Sequence, residues 1–164
     1  MVLRLGRMSD GFDKPSYINF FNDGFPVIGE AAKKLALQHP SFVVYDILNL
    51  AKMANEGNIK INPKWGFKVE KDSNGILQII FDTWRGKRKA TPQFLLAILI
   101  NCSLNAAKEF VGFRPTVFNI HIYDDFNFKS AEKAVIQAFK ILDVQYFVKS
   151  VPEKKFIRVE KKIL

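Results

Sequence analysis

The sequence predicts an α+β domain, a mostly antiparallel sheet packed against helices in the order α-α-β-β-α-β-α-β-β. Three observations predict it. Residues 65–82 read as a hairpin around Asn74-Gly75, a pair that supplies the positive φ angles of a tight turn. Residues 93–111 carry the strongest helical pattern, opened by Thr91-Pro92 and closed by Gly112, the residue types that start and stop helices. Residues 116–123 alternate apolar and polar side chains with the period of a strand.

Taken in order, residues 1–24 mix charges with Gly, Asp and Asn and read as an N-terminal arm, with at most a short helix or strand around residues 17–21. Residues 25–164 form the single domain. Pro26 suits a first helical turn, and Ile28, Ala31, Ala32, Leu35 and Ala36 keep helical spacing over 27–38. Ser41 is a suitable N-cap for a second helix over 42–56, with Gly57 as its stop. The hairpin strands span 65–70 and 76–82, and a basic connection follows at 85–89. In the helix over 93–111, apolar residues wrap nearly all round, which predicts a central buried helix; Asn101, Asn105 and Lys108 form its polar stripe. In the next strand Phe118, Ile120 and Ile122 face one way, while Asn119, His121 and Tyr123 face the other. Ser130 caps a helix over 131–142, and strands at 144–148 and 156–160 pair as a last hairpin.

Composition narrows the function classes. The chain has 164 residues, about one domain, and 48% are hydrophobic, enough for a packed core. Its 16 Phe predict Phe-rich core or pocket walls. No apolar run reaches transmembrane length and the start lacks a signal-peptide pattern, so neither a membrane span nor secretion is expected. The lone Cys102 excludes an internal disulfide and a cysteine zinc site, so a cytoplasmic protein is expected. Lys and Arg number 25 against 16 Asp and Glu, a formal charge of +9, which attracts nucleic acid, anionic lipid or an acidic small molecule. Most of that charge is dispersed. Only 85–89 and the group Lys154, Lys155, Arg158, Lys161 and Lys162 are dense.

No catalytic constellation stands out, so a binding or sensing module is expected rather than an enzyme, with no cofactor and no metal. His39 precedes a proline and His121 lies in a strand, with no ligand at metal spacing. A thiol in an apolar helix, as Cys102 is, is inert. Asp124-Asp125 reads as a solvated strand end. The basic segment admits three readings: a solvated connection, a nucleic-acid contact through Lys87, Arg88 and Lys89 with Trp84 for stacking, or a cavity mouth where Arg85 or Arg88 pairs with a ligand carboxylate or phosphate. A mixed pocket between the Asn101-Asn105 stripe and the polar face of Asn119, His121 and Tyr123 would supply convergent polar groups. The candidate ligand residues are therefore Trp84, Arg85, Asn101, Asn105, His121 and Tyr123.

Several stretches carry a family resemblance: Leu3-Arg4-Leu5-Gly6, Phe25-Pro26-Val27-Ile28-Gly29 and His39-Pro40-Ser41-Phe42. The long apolar helix running into Gly112-Phe113-Arg114-Pro115 and the strand after it continue the pattern, as does the closing segment 139–164. Together they resemble the effector-binding, arabinose-binding-domain-like half of AraC-type transcription regulators. The resemblance implies sensing of a small effector, anionic or partly apolar, and homodimerisation. DNA would be reached only through a domain outside this chain, since the family's paired helix-turn-helix motifs do not occur in it. Two alternatives stand beside that expectation. One is a nucleic-acid-binding protein using 85–89 and 154–162. The other is a structural partner-binding module like the two-layer 4-vinyl-reductase-type or trafficking-complex domains.

Overall fold

A computed structural model of the chain describes residues 2–5, 16–114, 117–122, 128–143, 146–151 and 156–161. The first half contains β1 (Val2–Leu5), β2 (Ile18–Asn19), β3 (Val27–Ile28), α1 (Glu30–Leu35), β4 (Val43–Val44) and α2 (Ile47–Glu56). A meander of β5 (Lys68–Lys71), β6 (Leu77–Thr83) and β7 (Gly86–Ala90) follows. Then come α3 (Pro92–Val111), β8 (Val117–Ile122), α4 (Phe128–Ile141), β9 (Tyr146–Val151) and β10 (Phe156–Lys161). The fold is α+β.

The order differs from the expected one by five additional strands among the described residues. The N-terminal segment is not merely an arm: β1 pairs parallel with β8, from Val2↔Asn119 to Leu5↔Ile122. Residues 27–28 are a strand rather than a first helical turn, because Ile28 pairs with Ile18 across β2. Gly29, at φ +81, then turns the chain into the short α1. Ser41 caps nothing; it lies inside a 3-10 turn, Pro40–Phe42. The helix after it starts at Ile47, behind Asp46 in the left-handed region at φ 62, and Asp46 Oδ2 accepts from Asn49 Nδ2 at 3.2 Å. In the same way α4 begins at Phe128 and contains Ser130. The basic connection proves to be strand β7.

Among the described residues the strands form three sheets, ordered β1-β8-β10-β9, β3-β2-β4 and β5-β6-β7, and only the β1·β8 pair is parallel. The expected hairpin turn is present: Asp72 Oδ1 accepts from the N–H groups of Asn74 (2.9 Å) and Ile76 (3.0 Å), and Gly75 takes φ +76.

Helix α3 behaves at both ends as its sequence predicts. Thr91 Oγ1 accepts from the Phe94 N–H at 3.3 Å, Pro92 occupies the first turn, and Gly112 closes the helix at φ +82. By length and composition α3 could cross a membrane, but one face of its first thirteen residues packs in the core. Leu95, Leu96, Ile100 and Leu104 are essentially fully buried there, each contributing about 1.5–3 kcal/mol. It is not buried all round as expected: Phe94 is 47% exposed and Phe110 91%. Helices α2, α3 and α4 contact one another pairwise, with β3 and β6 against α3 and β9 against α4. One apolar cluster runs from Ile18 through α2, the meander and α3 to Ile120 and Phe139.

Candidate anion-binding cavity

Strand alternation explains what the run 85–89 does. Thr83↔Gly86 is the last Cα pair of the β6–β7 hairpin, which leaves Trp84 and Arg85 as a two-residue tip. Gly86 sits at φ +93, where a side chain is strained. The Thr83 hydroxyl locks the tip, donating to the Gly86 carbonyl at 2.7 Å and accepting from the Arg85 N–H at 3.2 Å. Beyond the tip, Arg88 stands opposite Phe81, while Lys87 and Lys89 stand opposite Asp82 and Ile80. Residues paired across an antiparallel ladder share a face. Phe81 is buried, so Arg88 lies on the inner face and the two lysines on the outer one. The four cations are therefore not one patch.

The inner face borders a cavity of about 280 Å³. Three elements supply its walls: the hairpin tip, the segment from Phe20 to Pro26, and the start of α3 with Phe94 and Ile98. The first two are tied together, since the Trp84 N–H donates to the Phe20 carbonyl at 3.1 Å and the Phe20 and Phe81 rings lie 4.5 Å apart. Trp84, Arg85 and Arg88 stand at its cationic side, Lys89 borders it from a strand position whose side chain belongs to the outer face, and the lining contains no Asp or Glu. The Arg85 guanidinium lies 4.3 Å from the centre of the Trp84 ring, a cation–π contact. Lys89 Nζ pairs with Glu70 at 2.8 Å, and that hydrogen bond and charge raise the lysine's pKa.

The expected site residues thus separate. Trp84 and Arg85 line the cavity, together with Arg88 and Lys89 from the nucleic-acid alternative; Lys87 does not. Asn101 and Asn105 lie away from it: Asn101 Oδ1 accepts from Arg114 Nη2 at 2.7 Å, and α3 makes no extended contact with β8 among the described residues. The mixed pocket expected between those asparagines and strand β8 involves His121 and Tyr123 and falls outside what the described residues cover. His121 belongs to β8. Its side chain, Tyr123, Asp124-Asp125, Lys154, Lys155 and Lys162 lie outside the described residues, as do the side chains of Arg158 and Lys161.

Reasoning from sequence missed Phe20, Phe81, Phe94 and Ile98 as cavity walls. Arg88, expected at a cavity mouth, meets these walls because the alternation of Gly-Lys-Arg-Lys-Ala after a two-residue turn counts back onto Phe81. Chemically the cavity offers an apolar body site and cations. Its one hydroxyl, on Thr83, donates to a backbone carbonyl. Among the described residues no three His, Cys, Asp or Glu gather as a metal site. No family model matches the chain.

Proposed function

We propose that this chain is an effector-binding regulatory domain of the AraC-type kind its sequence resembles, with the hairpin-tip cavity as the effector site. The observation that carries the reading is the cavity itself: phenylalanine walls behind two arginines, with no carboxylate in the lining. Small-molecule sites commonly combine apolar walls with a few placed polar groups, in volumes of about 300–1,000 Å³. At about 280 Å³, this one suits an effector smaller than a typical drug, partly apolar and anionic. Binding would favour one state of a two-state equilibrium felt by a DNA-binding partner or domain.

Thermal unfolding with a panel of small organic acids, fatty acids and neutral metabolites tests this. A cognate effector at a hundredfold excess over its Kd should raise Tm by about 5–10 °C. It should also change the fluorescence of the half-exposed Trp84, because the other tryptophan, Trp65, is buried. No stabilisation by any class in the panel counts against the reading.

A further inference from the structure

Resting on that reading of the cavity, we infer that Arg88 is its anion-binding residue and that the ligand is a carboxylate carrying an aromatic or medium-chain apolar body. Three cationic residues line the cavity, and two of them are engaged elsewhere. Lys89 pairs with Glu70 on the outer side of the sheet, and Arg85 stacks on Trp84 at the tip. Arg88 is on the inner face opposite Phe81 and makes no ion pair among the described residues. Its guanidinium fork therefore stands at an apolar cavity with its donors available.

That fork matches the two oxygens of a carboxylate with parallel hydrogen bonds. A phosphoryl group presents three strong acceptor oxygens and up to two charges, and so asks for more donors. The hydroxyl and two backbone N–H groups of the tip are already engaged: the Thr83 hydroxyl with Gly86, the Arg85 N–H with Thr83, and the Trp84 N–H with Phe20. Asn22 adds only a neutral amide at the rim. Phe20, Phe81 and Phe94 then receive the rest of the ligand, and apolar area removed from water drives that part of the binding.

Calorimetric titration with 4-phenylbutyrate and octanoate, each against its neutral amide, tests the assignment in the wild type and in Arg88→Gln, Arg85→Gln and Lys89→Gln. The wild type should bind the better acid at least about tenfold tighter than its amide, the worth of a charge-assisted hydrogen bond. Arg88→Gln should abolish that preference while leaving amide affinity unchanged, which also shows that the variant is folded. Arg85→Gln and Lys89→Gln should keep it. Equal binding of acid and amide by the wild type overturns the assignment of Arg88 and leaves the cavity reading standing. So does a preference that survives in Arg88→Gln and disappears in either other variant, and so does tighter binding of phenyl phosphate than of either acid. Failure of all four acids and amides to bind overturns the effector-site reading itself.

Discussion

A methyl group on Gly66 would collide with the backbone carbonyl and the ring of Pro40, and neither is the movable end of a flexible side chain. Gly66 lies between Trp65 and Phe67, both buried and stacked with centroids 5.3 Å apart. Any backbone shift that relieved the collision would pull these rings out of register. Gly66→Ala should therefore destabilise the protein by about 1–3 kcal/mol, the usual cost of overpacking, seen as a lower urea midpoint with an unchanged m-value. Gly75 provides the contrast, because space around it is open and only its φ of +76 opposes a side chain. A Gly66→Ala midpoint equal to that of the wild type would mean that the Pro40 turn yields freely.

At the scale of elements, the β5–β6 turn depends on one ionised carboxylate. Asp72 accepts from two backbone N–H groups and from Gln78 Nε2 at 3.1 Å. The Ile76 N–H is the largest cause of a pKa held below the ordinary aspartate value, with Gln78 and Asn74 adding to it. A depressed folded pKa contributes stability that is complete above the ordinary value of 3.8 and disappears as pH falls through the lower folded value. Asp72→Asn keeps a side-chain acceptor but loses the charge. The wild type should thus be the more stable at pH 7, and its advantage should shrink towards zero on acidification below about pH 4. An advantage independent of pH, read from urea midpoints, would refute the assignment. This turn and α3 were legible because their signals are local: Asn74-Gly75 within four residues, and Thr91-Pro92 with Gly112 at the ends of one apolar run. Strands β2, β3 and β4 were not, because two-residue strands exist only through distant pairing such as Ile18↔Ile28 and Ile18↔Val44. Strand β7 was hidden for another reason. It is an edge strand whose first four residues are exposed, so charges that protect an edge from further pairing erase its apolar alternation. The candidate site divided along the same line. Trp84 and Arg85 follow directly from the turn, whereas the direction in which the Asn101-Asn105 stripe faces depends on how α3 packs.

Across the whole molecule, the cavity lies beside the β5-β6-β7 meander whereas β1 belongs to the four-stranded sheet. Every residue lining the cavity comes from between Phe20 and Ile98, while β1 closes the edge of the four-stranded sheet through its parallel ladder with β8. Helix α3 joins the two regions: Phe94 and Ile98 border the cavity, and the helix also packs against α4, whose Ala134, Val135, Ala138 and Phe139 share one core with Ile120 of β8. Removing residues 1–5 deletes the β1 ladder and touches no cavity wall. Hydrogen exchange should then accelerate at the β8 amides that face β1, because an unpaired edge opens at low free energy. The amides of β6, which is paired on both sides within the meander, should keep their protection. An organic acid that binds the full chain should bind the shortened one with the same affinity. A loss of protection spread evenly over β6 and β8 would instead show that the parallel edge pair holds the entire molecule together, and ligand affinity would then fall with it.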